Sequence, residues 1–173
     1  TMNDGSIASC TAVNCGNSVF VVKPSASFTM TGGTVDGSIT MLYTVGNNTV
    51  YMDGLGTAAY HYQISTADQL KLFRDIVNGA GGQTQNRGAY AVLTADIDLN
   101  NEPWTPIGPD RDSAYTGTFD GQGHTVKNLS VTVNVQPGRA GLFGCVKDGT
   151  IRKLTVAGSV SCTANQGWCG GIA

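Results

Sequence analysis

The 173 residues carry a net charge of −2, and only 13% of them are charged against 40% apolar. Glycine (24), threonine (20), valine (16) and asparagine (12) dominate, and Glu102 is the single glutamate beside eleven aspartates. This mixture of turn formers and β-branched residues excludes a helical bundle, intrinsic disorder and a basic nucleic-acid surface, and no apolar run is long enough to insert in a membrane.

The N-terminal stretch repeats itself. Met2–Ile7 matches Met30–Val35 at a spacing of 28, and Asn17–Val21 matches Asn48–Met52 at 31. Residues 1–56 are therefore expected to form stacked β-coils. Residues 57–88 read as a linker carrying one amphipathic helix over about 66–78. Ser65-Thr-Ala-Asp68 resembles a capping box, Leu70, Phe73, Ile76 and Val77 share a face, and Asn78-Gly79 is a stop signal. So short a helix must cover apolar surface, and the end of a coil is the expected place.

Residues 89–173 return to the β pattern. Thr125-Val-Lys-Asn-Leu-Ser-Val131 recurs as Thr150-Ile-Arg-Lys-Leu-Thr-Val156, 25 positions on, and Gly141-Leu-Phe-Gly144 is echoed by Gly171-Ile-Ala173 at 30. Short alternating strands recurring every 25–31 residues are the signature of a β-solenoid, in which each coil covers the next. A jelly roll or immunoglobulin-like sandwich gives no reason for whole units to recur. The expected inward residues are Phe119, Val126, Leu129, Val131, Leu142, Phe143, Val146, Ile151, Leu154, Val156 and Val160. Gly121, Gly123, Gly141 and Gly144 are expected at tight corners, with Asp120 bonding turn amides.

Several residues have chemical potential. Asp96 and Asp98 share one strand face at about the carboxylate separation of an inverting glycosidase. They also alternate with Ile97 and Leu99 as an ordinary outward face, which is the stronger reading. Asp96-x-Asp98-x-Asn100 imitates the start of a calcium loop without its glycine and distal glutamate. His61 and His124 stand apart, and no nucleophile elbow is present. No catalytic residue and no cofactor are assigned. Trp104, Tyr115 and Trp168 lie near turns, where exposed aromatic faces could stack on sugars; burial as plugs is the alternative for Trp104 and Tyr115. Of the cysteines, Cys10 with Cys15 and Cys162 with Cys169 are spaced to form local disulfides or to lie in the core, and Cys145 completes the five.

Tyr62–Leu70, Leu93–Leu99, Trp104–Gly108, Tyr115–Val126 and Gly141–Gly144, taken together, resemble the GLUG-motif repeat regions of bacterial surface and secreted proteins, some of which accompany IgA-protease-type peptidases. Phe28–Ser38 resembles the coils of right-handed β-helix adhesins. The resemblance implies an all-β, right-handed parallel β-helix with one short helix and an extracellular or cell-surface location. It further implies a structural or adhesive role toward a glycan or host protein, and further coils in a longer parent chain. A polysaccharide hydrolase or lyase, and an accessory region of a secreted peptidase, are the alternatives.

Overall fold

The computed structural model describes residues 19–21, 39–45, 48–134, 138–163 and 167–173. Cys10, Cys15, the Met2–Ile7/Met30–Val35 repeat and most of Phe28–Ser38 lie outside them. The elements are β1 (Val19–Val21), β2 (Ile39–Val45), β3 (Asn48–Asp53), β4 (Tyr62–Ile64), α1 (Ala67–Asn78), β5 (Ala91–Leu93), β6 (Ile97–Asp98), β7 (Thr118–Asp120), β8 (Thr125–Val133), β9 (Arg139–Ala140), β10 (Thr150–Arg152), β11 (Thr155–Cys162) and β12 (Trp168–Cys169). The chain is thus mostly β with one short helix.

The strands form three sheets, ordered β1-β2-β3-β4-β5-β7-β10, β11-β8-β6 and β12-β9. From β4 onward every pairing is parallel. The chain visits the sheets in a fixed sequence, β7-β8-β9 and then β10-β11-β12. Strands of two or three residues have no stability alone. Here each gains hydrogen-bonding partners from the stretch about 30 residues away.

The observed register corrects the expected repeat. Thr125 pairs with Thr155 and Val126 with Val156, while Thr150 pairs with Thr118. The apparent 25-residue spacing set a strand of one sheet against a strand of another. The corner from Asp120 to Thr125 is two residues longer than the one from Arg152 to Thr155, which hides the true alignment. The Gly141–Gly144 echo does meet its partner: Leu142 N donates to Gly171 O (3.2 Å) and Phe143 N to Ile172 O (2.8 Å).

The N-terminal strands differ more. β1 pairs in parallel with β2, but β2 and β3 form an antiparallel hairpin, and β3 meets β4 antiparallel. Asn17–Val21 therefore does not stack on Asn48–Met52. Only two residues separate β2 from β3, and a parallel connection needs a dozen or more.

The expected helix is present, one residue later than its anticipated start. Thr66 is the N-cap, and the box partner is Gln69 in place of Asp68. Gln69 Oε1 accepts from Thr66 N (3.1 Å) and Ser65 N (2.7 Å), and its Nε2 donates to Tyr51 O (2.7 Å), a reach the shorter aspartate lacks. Gly79 closes the helix at φ 68°. The segment from 65 to 90 runs between β4 and β5, which are neighbours in one sheet. Phe73 lies 6.4 Å from Tyr62, 6.0 Å from Tyr115 and 5.6 Å from Phe119, ring to ring, and Phe143 contacts the latter two. The helix thus contributes a central member of the aromatic core.

Of the expected inward residues, Phe119, Val126, Leu129, Val131, Leu142 and Phe143 are fully buried. Val146, Ile151, Leu154, Val156 and Val160 are partly buried against the same cluster. β10 and β11 are edge strands among the described residues, so their side chains have neighbours on one side only.

Candidate functional site

The aspartates singled out from the sequence are held by bonds to the adjacent layer. Asp96 Oδ1 accepts from Thr125 N (3.0 Å) and lies 3.1 Å from His124 Nδ1. The Thr125 amide first, and then His124, hold its carboxyl below the ordinary range. Asp98 Oδ1 accepts from Asn100 N (2.8 Å) and Asn128 Nδ2 (2.8 Å), and Lys127 Nζ sits 3.3 Å from Oδ2. Its carboxyl is lowered by the Asn100 amide and then by Asn128. Asn100 thus meets Asp98 through its backbone, closing a turn with φ 53°.

Asp120 is the buried member, 2% exposed. Burial raises its carboxyl affinity for a proton, but the Gln122 amide (2.9 Å) and Arg152 (Nε 2.8 Å, second nitrogen 2.8 Å) outweigh it, and the net shift is downward. The expected amide bond is there. The ion pair to Arg152, 32 positions along, was missed, as were the roles of His124 and Asn128. Complementary side chains some 28–32 residues apart were the available signal, masked by the misread spacing. All three carboxylates favour the ionised form, which suits a clamp and not a proton donor.

The expected corner glycines are explained mainly by crowding. A Cβ on Gly121 would lie 2.4 Å from Lys153 O and 2.7 Å from Leu154 Cα. On Gly141 it would lie 2.7 Å from Gly170 O, and on Gly144 2.9 Å from Gly108 O. Gly123 differs, with open space around it but φ 88°.

Two of the three candidate sugar-stacking aromatics prove to be plugs. Trp104 is 6% exposed; its Nε1 donates to Leu142 O (3.1 Å), and the Arg74 guanidinium lies 5.0 Å over its ring. Tyr115 is fully buried and donates to Ala89 O (2.7 Å), and burial followed by the Tyr90 phenol raises its own phenol well above the usual range. An apolar ring beside a long loop is covered by that loop, so neither offers a face to a ligand. Trp168 is different: it is 55% exposed, with Arg139 stacked at 5.1 Å. Its neighbour Cys169 forms a disulfide with Cys162, while Cys145 is a half-buried free thiol. Among the described residues no three His, Cys, Asp or Glu side chains converge as a metal site would require.

No family model matches the chain. It is 33% identical over 123 residues to halomucin of Haloquadratum walsbyi, an alignment covering 65% of this chain and 1% of that protein. Among solved structures, a "putative immunoglobulin A1 protease" from Bacteroides ovatus resembles it with a TM-score of 0.51 and 28% identity, over 64% of this chain and 30% of that one. The chain therefore spans only a small part of either protein.

Proposed function

We propose that this chain is a right-handed parallel β-helix module of an extracellular or cell-surface protein, related to the GLUG-motif repeats, whose turns face a glycan or a host protein. One observation carries the reading most directly: Asp96, Asp98 and Asp120 each bond across to the next layer and are ionised by those bonds. Their chemistry is spent on holding layers together. The parallel order of β4 to β12 supports the coil, and right-handed connections are the general rule for parallel strands. The Cys162–Cys169 disulfide suits an oxidising compartment. The likenesses to halomucin and to the Bacteroides ovatus protein favour the same location.

A glycan array read alongside a turnover assay tests this proposal. Retention on glycans or on a host glycoprotein without product release is the expected result. Release of oligosaccharides, abolished by Asp96→Asn, would establish the polysaccharide-degrading alternative. The Bacteroides ovatus neighbour favours a second reading, an accessory region of a secreted peptidase. Under that reading the chain alone leaves immunoglobulin A1 uncleaved but increases cleavage when joined to its parent catalytic domain.

A further inference from the structure

We propose that the cleft across the outer face of β2 to β5 binds one ring of an uncharged, hydroxyl-rich ligand, a single saccharide residue. This rests on the glycan-facing role above and gives it a location. The cleft encloses about 240 Å³ and is lined by Ile39, Asp53, His61, Gln63 and Val92 together with the loop from 54 to 60. That is below the roughly 300–1,000 Å³ of drug-sized sites, which favours one ring over a longer chain.

The topology builds the floor. Thr40 pairs with Asp53, Asp53 with Gln63, and Gln63 with Val92, so these residues form one row across four strands at spacings of about 4.8 Å. Met52, Tyr62, Ile64, Ala91 and Leu93 alternate with the row and are buried, which leaves the row on the outer face. Thr40 donates its hydroxyl proton to Asp53 Oδ1 and fixes that carboxylate.

The wall is equally constrained. Leu55 N (2.9 Å) and Thr57 N (3.2 Å) both donate to Tyr60 O, Gly54 N donates to Ile39 O (2.7 Å), and Tyr90 N donates to Gly56 O (2.9 Å). Gly54 has φ 97°, and a Cβ there would lie 1.9 Å from His61 O, so only glycine lets the loop fold back over the sheet. The His61 ring is stacked on Tyr90 at 5.6 Å. A site fixed before the ligand arrives loses little entropy on binding.

The lining selects the ligand class. No lysine or arginine lines the cleft to hold a phosphate or carboxylate, and the single carboxylate is too few for a divalent cation. An ammonium group would find Asp53 but also face the donors of the Gln63 amide and the imidazole. Hydroxyls donate and accept in turn, matching a carboxylate, an amide and an imidazole set side by side. Ile39 and Val92 supply an apolar surface for the C–H face of a ring.

The test is an NMR titration of the whole chain with neutral hexoses and N-acetylhexosamines, with glucuronate, lysine amide and calcium as comparison probes. A neutral sugar is expected to shift the Gln63 side-chain amide and His61 ring signals at millimolar concentration. Gln63→Ala should weaken binding about fivefold, the worth of one hydrogen bond, and Trp168→Ala should leave it unchanged. Stronger binding of glucuronate, lysine amide or calcium would overturn the ligand class. Sugar binding that survives Gln63→Ala and is lost in Trp168→Ala would overturn the cleft and leave the glycan-facing role standing. Retention on the array with no monosaccharide moving these signals would do the same. No sugar binding anywhere on the chain would overturn both.

Discussion

Replacing Asp120 with asparagine removes a charge from a buried position while keeping its shape. The asparagine carbonyl can still accept from Gln122 N, but its amide nitrogen then faces the Arg152 guanidinium, and both 2.8 Å contacts are lost. Hydrogen bonds involving charged groups contribute about 1.5–3 kcal/mol net. The Arg152 side chain is 55% exposed, so once released it is solvated by water and the larger penalty of an orphaned buried ion does not apply. A loss of about 2 kcal/mol is expected, which at this chain length lowers Tm by roughly 4–8 °C. Urea unfolding followed by tryptophan fluorescence measures it. The effect depends on pH in a defined direction. Asp120 is held below 3.8 in the folded chain, so the unfolded chain takes up its proton first as pH falls. The stabilisation is fully present above the unfolded pKa near 4 and is lost as pH drops through the folded value. The gap between native chain and variant should therefore close from pH 4 downward. A loss under about 0.5 kcal/mol at pH 7, or a gap that stays constant into acid, would refute the clamp.

Other substitutions probe separate parts of the argument. Gly121→Ala should destabilise more than Gly123→Ala, because the first drives a Cβ into backbone and the second meets only a positive φ worth about 1–2 kcal/mol; paired thermal melts compare them. Thr66→Ala should cost about 1 kcal/mol through loss of the N-cap, seen as a reduced urea midpoint. Trp104→Phe keeps the ring buried but removes the bond to Leu142 O and weakens the Arg74 stack, for about 1–2 kcal/mol in the same assay. Cys162→Ser opens a loop spanning seven positions, for about 2 kcal/mol on the chain-entropy account, and dithiothreitol should have the same effect on the native chain and none on the variant.

Much of the local structure was legible because its causes are local. Alternation along Phe119, Val126, Leu129 and Val131 marks the buried face, since successive side chains on a strand point to opposite sides. Leu70, Phe73, Ile76 and Val77 mark the helix, and Asn78-Gly79 its end, through helical spacing and the left-handed tolerance of glycine. The tertiary structure decided what depends on distant parts of the chain. Which strand lies beside Thr125 depends on the lengths of the intervening corners, and two extra residues between Asp120 and Thr125 make a 30-residue pairing read as 25. The antiparallel turn from β2 to β3 and the burial of Trp104 and Tyr115 are likewise set by neighbours contributed from elsewhere. So are the partners of the aspartates. A carboxylate reveals its outward direction within a few residues of sequence, but whether it meets water, a ligand or Arg152 is decided only when the next layer closes over it.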